Sequence, residues 1–487
     1  MTLRLRAELE LQIAPDGSGG KVFDPFLGRT ITLGPTGAAL VGKIDGTRDP
    51  DQLLADLIGA GYARDKIEDT LRCLTLLHAI DGIGDGVRAR MASIWAGETE
   101  LVYRALPEAR FACQGSGMCC QSYRLGPVTA EEVAAVSALP VREAFPDLPE
   151  GELFVVRDDK HYLRSVATGC VFLQDGHLCR LHARFGEHAK PEMCRTYPAG
   201  IKLTFEAAVV YNNQQCSEHF VSQAAGPPLI ESASLLRQRR TGQVVLFHPI
   251  VFLREDTPVD YAHFLELERV LRDVLGQGAP FRQLAHALDV YDSFITVARS
   301  FPLGTDPAAA FAQWRGSVAT QPSGPASHGR DFEWDEVLAM LSALILELET
   351  ALVELDPASV DHDMVPLITE LLPGMELLRR RATERAGTGL TPSGELAAAL
   401  RTSLAQRFQG PLSLPADRPL SAIGEAALSI AAAFACASLR GRPGDVATLG
   451  RGHALANRVL PTFTTPMFRK HPERVRALVT VLDRLCA

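Results

Sequence analysis

Basic charge is in short supply in this chain. Its 49 Lys and Arg stand against 58 Asp and Glu over 487 residues, a net charge of −9. General nucleic-acid binders carry a basic face, so this balance argues against that class and leaves room only for a local basic patch. Long apolar runs are missing as well. The most apolar stretch, residues 426–439, falls short of the ~20 residues that span a bilayer, and Glu425 stands at its entrance. It reads as a buried helix. Residues 1–13 set Leu3, Leu5, Leu9 and Leu11 against Thr2, Arg4, Arg6, Glu8 and Glu10, the alternation of a strand and not an export signal. The expectation is a soluble cytoplasmic protein without a membrane or nucleic-acid partner. Familiar catalytic signatures are lacking too. There is no H-E-x-x-H, no P-loop, no G-x-S-x-G and no C-x3-C-x2-C run, so the chemistries these motifs carry have no anchor here.

What is present suits folded cores: 46% of residues are hydrophobic and 22% charged. The length exceeds one ordinary core, and ~100–200 residues per domain gives two to four. In the first 95 residues, a strand over 3–13 leads into the turn Pro15-Asp16-Gly17-Ser18-Gly19-Gly20. Strands at 21–24 and 29–33 follow around Pro25-Phe26-Leu27-Gly28. A helix opens at Gly34-Pro35-Thr36 and runs to 44, where Asp45-Gly46 breaks it. Asp49 or Asp51 caps a second helix at 52–59. A third, over 64–78, aligns Ile67, Leu71, Leu74 and Leu77 on one face. Beyond 220 the chain reads as mostly helical. A long amphipathic helix is predicted at 331–355 with Val337, Leu338, Leu341, Leu344, Ile345 and Leu348 at helical spacing. Others fall at 364–381, 394–406, 423–439, 446–460 and 472–486. Residues 316–330, rich in Ser, Gly, Pro and Gln, read as a loop. The fold class is α+β in three parts: residues 1–95, a cysteine-rich block at 101–220, and a mostly α-helical region at 221–487.

The cysteines are the most informative feature. Seven of ten lie between Cys113 and Cys216, where even scattering would leave roughly two, and such clustering in a cytosolic chain reads as metal-binding or catalytic. The order is Cys113, Cys119, Cys120, Cys170, Cys179, Cys194 and Cys216. Thiolates suit zinc and iron–sulfur centres, and a cluster takes four of them. Gly115 and Gly117 let the backbone fold tightly between Cys113 and Cys119. The adjacent Cys119 and Cys120 cannot both face a core from one strand, but a turn would aim both at one centre. Four or more of the seven are expected to converge, with Cys216 ranked last. A disulfide framework would need an oxidising compartment. Cys73, Cys436 and Cys486 fall on apolar helix faces and read as packing.

Two resemblances follow from these residues. Thr32-Leu33-Gly34-Pro35, the apolar helix 38–44, Asp45-Gly46-Thr47 and the helices over 53–77 resemble the PqqD-like domain across roughly residues 1–90. That likeness implies a small winged-helix fold which holds a peptide or protein as an added edge strand; the plainer alternative is a helical wing packed on the main body. The pieces Cys113-Gln114-Gly115-Ser116-Gly117-Met118-Cys119-Cys120, Gly169-Cys170-Val171-Phe172-Leu173, Cys179, and Lys190-Pro191-Glu192-Met193-Cys194-Arg195-Thr196-Tyr197-Pro198 resemble the YkgJ-type cysteine-cluster family, described as zinc- or iron-chelating. Lys190 departs from the family's usual Arg and loses the bidentate fork. The same block, with Cys216 and the helical tail, resembles flagellin lysine N-methylases. That implies a [4Fe–4S] cluster on the cysteines and S-adenosylmethionine as methyl donor.

Other residues are ambiguous. His182, two residues beyond Cys179 in C-x2-H spacing, and His177 are zinc-ligand types, with a solvent-facing histidine as the bland alternative. Asp175-Gly176 reads as a hairpin turn. Arg195 and Tyr197 flank Cys194, where a cation would favour thiolates and bond cluster sulfurs; equally, Arg195 pairs with Glu192. Gly82-x-Gly84-x-Gly86 does not follow a strand of a βαβ unit, so a Rossmann site is not expected there. Three functions stay open: an enzyme modifying a protein or peptide side chain, such as an S-adenosylmethionine-dependent lysine N-methyltransferase; a non-catalytic metal-binding or partner-docking protein; and a scaffold with structural zinc.

Overall fold

Turn and cap chemistry builds the first layer. The computed structural model describes residues 2–122, 124–166, 169–174, 178–232, 244–246, 249–254, 257–275, 280–302, 305–318, 331–354, 364–385, 394–407, 418–442, 445–471 and 473–486. Asp24 Oδ1 accepts the N–H groups of Phe26 and Leu27 and closes the turn between β2 (Gly20–Asp24) and β3 (Arg29–Leu33). β1 (Glu10–Ile13) pairs antiparallel on the other side of β2. The helices α1 (Pro35–Val41), α2 (Pro50–Gly59), α3 (Arg64–Leu76) and α4 (Asp85–Trp95) follow. Asp49 is the cap of α2: it accepts Gln52 N–H at 2.9 Å while Gln52 returns the bond to Asp49 N–H at 3.0 Å. Leu53, Leu57, Ile67, Leu71 and Leu74 pack with Val22 and Leu40 in one core. The strand expected over 3–13 is split. Arg6 donates to the carbonyls of His78 and Ile83 at 2.5 and 2.6 Å and pairs with Asp85, drawing the chain toward the junction of α3 and α4. Arg4 and Leu5 therefore make only single bridges, to Asp45 and Ile80, before β1 begins.

The middle of the chain is a mosaic of short elements. They are β4 (Tyr103–Arg104), α5 (Met118–Ser122), α6 (Ala130–Ser137), α7 (Val141–Ala144), β5 (Phe154–Arg157), β6 (Lys160–Leu163), β7 (Ser165–Val166), β8 (Gly169–Cys170), α8 (Arg180–Phe185), α9 (Glu192–Thr196), β9 (Ala199–Leu203), β10 (Ala208–Asn212), α10 (His219–Ala225), β11 (Val244–Leu246), β12 (Ile250–Arg254) and β13 (Thr257–Asp260). One four-stranded sheet runs β11-β9-β10-β4; β5–β6, β7–β8 and β12–β13 are separate hairpins. A small core of Leu125, Val128, Leu163, Val171, Phe172 and Leu181 lies under the two hairpins before α8.

Helices make up the rest: α11 (Tyr261–Leu275), α12 (Pro280–Ser300), α13 (Pro307–Val318), α14 (Asp331–Glu354), α15 (Met364–Glu384), α16 (Gly394–Arg407), α17 (Arg418–Leu439), α18 (Val446–Lys470) and α19 (Glu473–Cys486). The fold is thus α+β with a mostly helical C-terminal region, as expected. The stretch 420–439 of α17 is long and apolar enough to cross a membrane, and here it is buried against α15, α18 and α19. The helix expected to stop at 460 continues through Pro461 and Pro466 to Lys470, because Leu460, Thr464 and Phe468 share one buried face and packing outweighs the missing N–H groups. Of the loop expected over 316–330, residues 316–318 close α13 and the remainder lies outside the described residues.

The N-terminal layer is docked on the helical region. Ile250 of β12 completes its core, Arg72 Nε donates to Phe301 O at 3.1 Å, and His78 Nε2 meets Asp260 Oδ2 at 2.8 Å with both side chains buried.

Candidate metal centre

Local chain geometry sets each cysteine. Gly115 and Gly117 both adopt left-handed φ, 73° and 72°, and turn the chain from the exposed Cys113 into α5. Cys119 and Cys120 sit consecutively on that short helix rather than in a turn. Its Met118 enters the large helical core while Cys120 packs into the small core of the cysteine block. β8 lies directly across α5: a Cβ on Gly169 would overlap Cys120 O and Gln121 Cα, so only glycine admits this approach of Cys170 to Cys120. Cys179 is fixed by an antiparallel bridge to Leu173 and by Arg180 N–H donating to Phe172 O at 2.8 Å. Cys194 rides on α9, whose first amide, Glu192 N–H, donates to Glu132 Oε1 at 2.5 Å; Glu132 is itself the reciprocal cap partner of Thr129 on α6. Cys216 precedes α10. Ser217 Oγ meets Ser116 Oγ at 2.9 Å and Ser222 Oγ donates to Ala112 O at 2.7 Å, lacing this turn to the loop that carries Cys113.

The thiols act on one another electrostatically. Cys119 and Cys120 bring their sulfurs to 3.9 Å. Sharing that contact makes Cys119 the easier to ionise, helped by the Lys190 ammonium, and pushes Cys120 strongly up, with burial and the charges of Cys119, Cys170 and Cys194 adding to it. Burial pushes Cys170 up to about 12, and Cys179 and Cys119 reinforce it. Cys194 is pushed up by burial and by Cys170, Cys179 and Cys119, against Lys190. Burial also raises Cys216 to about 12, with Cys119 and Cys113 contributing. Two subsets emerge: Cys119, Cys120, Cys170, Cys179 and Cys194 on one side, Cys113 and Cys216 on the other, with Cys119 common to both.

An all-sulfur donor set whose members oppose each other's ionisation is the chemistry that a soft cation relieves, since a bound metal inverts the local charge balance. Lys190 stands within electrostatic reach of Cys119 and Cys194, so the position keeps a cationic role despite losing the guanidinium fork. Arg195 is half-buried, its Nε is fully enclosed without a hydrogen bond, and it forms no ion pair among the described residues. Of the two readings of Arg195, the pairing with Glu192 is not formed among the described residues, and its Nε is left without a partner on the helix that carries Cys194. Tyr197 is half-buried at the end of α9, its N–H donating to Met193 O at 3.0 Å. Among the described residues, no three Cys, His, Asp or Glu side chains stand in a closed ligand array, so the fit rests on donor chemistry and proximity.

The remaining candidates separate cleanly. His182 lies exposed on α8. His177, Asp175 and Gly176 lie outside the described residues, although the flanking Gln174 N–H donates to Leu178 O at 3.0 Å. Cys436 is buried in the helical core and Cys73 packs against the N-terminal core; the side chain of Cys486 lies outside the described residues. Gly82 and Gly84 form a turn before α4, not a strand-to-helix phosphate loop.

Comparison with known proteins finds no matching family model, no matching curated protein and no matching solved structure. Reasoning from sequence also passed over a buried polar group beside Cys216, formed by Gln214, Ser403, His453 and Asn457. Its one local signal was the polar run Asn212-Asn213-Gln214-Gln215 directly before the cysteine.

Proposed function

We propose that this chain holds an iron–sulfur cluster, with zinc as the alternative metal, on cysteines drawn from Cys113, Cys119, Cys120, Cys170, Cys179, Cys194 and Cys216. We further propose that it modifies a lysine side chain of a protein or peptide with S-adenosylmethionine as methyl donor. The observation that carries the first part is the gathering of Cys119, Cys120, Cys170, Cys179 and Cys194 from four separate segments into electrostatic reach of one another. Five sulfurs suffice for the four thiolates of a cubane. Lys190 supplies positive charge within reach of Cys119 and Cys194, which tunes a cluster through its sulfurs, and Arg195, next to Cys194 in sequence, is proposed to bond one of them. The second part rests on the likeness of the cysteine pattern and helical tail to flagellin lysine N-methylases.

The N-terminal layer is read as a PqqD-like winged-helix domain over residues 1–95 that receives the substrate. β1 supports this reading: it is an outer strand, exposed along its whole length, and displays Leu11 and Ile13 to solvent. An exposed edge of this kind pairs readily with an extended peptide. The same edge serves a docking protein without catalysis, which is the second reading.

Anaerobic purification followed by iron, zinc and sulfide analysis tests the centre. A brown protein with about four iron and four sulfide per chain is expected. Zinc without sulfide transfers the reading to a structural site, and neither metal rejects it. Titration with S-adenosylmethionine, followed through the visible spectrum of the cluster, then separates the enzyme from the docking protein. Binding is expected, and none would favour the second reading.

A further inference from the structure

Two residues before Cys216 the backbone is strained. Gln214 holds φ at 59°, a left-handed conformation that a residue with a side chain keeps only when its surroundings impose it. Its buried side chain reaches into the helical region. Nε2 donates to Ser403 O on α16 at 2.7 Å, and Oε1 accepts from Ser403 Oγ at 2.8 Å. His453 on α18 brings Nε2 to 3.3 Å from the same Oε1 and 3.5 Å from Ser403 Oγ. Asn457, one turn further along α18, approaches Gln214 O at 3.5 Å, and Asn212 Oδ1 accepts Gln214 N–H at 2.8 Å. On the far side of Cys216, α18 comes so close to Ser217 that a Cβ at Gly450 would overlap the Ser217 carbonyl. The cysteine is thus slung between two anchors. Gln214 is bonded to α16 and α18, and Ser217 is bonded to Ser116 in the loop of Cys113.

A buried amide bonded at both its nitrogen and its oxygen fixes its position, because either bond lost leaves a buried polar group unpaired. Apolar helix packing tolerates small slides; the paired amide and hydroxyl of Gln214 and Ser403 do not. We propose that Gln214, Ser403 and His453 are positioning residues that hold the Cys216 thiol against the cysteine centre, so that the docking of α16 and α18 decides where the seventh sulfur stands. This deepens, and rests on, the reading of the cysteines as one metal centre. Its consequence is a link between cluster ligation and the helical region. Loss of either anchor frees Cys216, and capture of Cys216 by a metal tightens α16 and α18.

Ser403→Ala removes the Oγ bond to Gln214 Oε1 from the side remote from every cysteine of the block and leaves the Gln214 Nε2 bond to the residue 403 carbonyl in place. In the reduced, metal-free full-length protein, alkylation of Cys216 by iodoacetamide, read by mass spectrometry, should accelerate on the order of tenfold. Cys436, buried in the helical core, should keep its wild-type rate. An unchanged Cys216 rate overturns the proposal. So does a parallel rise at Cys436, which would make Ser403 a packing residue only. In the protein loaded with cobalt(II), S403A should weaken the thiolate-to-cobalt charge-transfer band. In a Cys216→Ser background the same substitution should weaken it no further, because its effect runs through that sulfur. Additive losses overturn the positioning role. Failure of wild-type protein to bind cobalt through thiolates would instead reject the centre, while the alkylation result still judges the network by itself.

Discussion

Removing the metal should loosen the cysteine block and leave the helical region standing. The centre as proposed joins segments that are far apart in sequence: 49 residues separate Cys120 from Cys170 and 14 separate Cys179 from Cys194. By the chain-entropy argument for cross-links, closing loops of these sizes is worth about 4 and about 3 kcal/mol, roughly 7 in all. That is comparable with the ~10 kcal/mol by which structural zinc folds small peptides. Among the described residues the regular structure that holds these segments is slight. The β5–β6 and β7–β8 hairpins are two-stranded, a form that is marginal alone, and their shared core is small beside the one formed by α11–α19. The assay is limited proteolysis of the full-length protein, with peptides identified by mass spectrometry, before and after treatment with a chelator and an oxidant. Cleavage within 124–166 and 178–196 should accelerate at least a hundredfold, corresponding to about 3 kcal/mol; part of the closure energy is offset because the stripped chain keeps its packing. Sites in α14, α15, α17 and α19, which hold no anchor of Cys216, should keep their rates. Equal protection of the block in both states would show that packing alone maintains it, and the closure argument would be wrong.

Three further outcomes are expected from the frame around the centre. Asp24→Ala removes the carboxylate that bonds both Arg88 Nη atoms, at 2.8 and 3.0 Å, deep in the N-terminal layer. The stranded guanidinium should cost about 3 kcal/mol, seen as a lower urea midpoint for that layer. Gly374→Ala places a Cβ into Cys436 Sγ where α15 crosses α17, which should cost about 1–3 kcal/mol in thermal unfolding, and Cys436→Ala in the same chain should return much of it. Burial holds the pKa of His263 below its ordinary value; Asp260, Asp306 and Glu266 oppose this and His78 reinforces it. The folded protein therefore takes that proton less readily than the unfolded chain, so stability is full above about pH 6.5 and declines below it. His263→Gln should flatten the acid limb of a Tm-against-pH curve, and an unchanged limb would assign the acid loss to other groups.

The parts of the fold that local pattern can encode were legible. A cap at Asp49 or Asp51 announced α2, which the structure starts from Asp49, the Ile67, Leu71, Leu74 face announced α3, and the apolar spacing of Val337, Leu341, Leu344 and Leu348 placed α14 almost to the residue. Departures came where distant contacts outweighed local signal. Arg6 diverts a strand pattern because its partners are the carbonyls of His78 and Ile83. Pro461 and Pro466 fail to end α18 because Leu460, Thr464 and Phe468 beside them are buried in the helical region. The hairpin β7–β8 has two residues per strand, too few for alternation to register, although it is what presents Cys170 to Cys120.

The candidate centre divides along the same line. A count of cysteines finds the candidate donors, because seven thiols within 104 residues stand out against any background. Nothing local identifies what orients them. Gln214 belongs to a polar run that reads as surface loop, yet it is buried because Ser403 and His453, 189 and 239 residues onward, supply its partners. His78 likewise ends a helix unremarkably in sequence and gains a buried partner only when the Asp260 carboxylate arrives. Polar burial is decided by the partner, and a partner two hundred residues away leaves no periodicity. It follows that sequence pattern alone can nominate the sulfurs of such a centre but not rank them. Cys216, last by pattern, is the thiol whose surroundings are most specifically built, since both its flanks are fixed by side-chain hydrogen bonds to other parts of the chain.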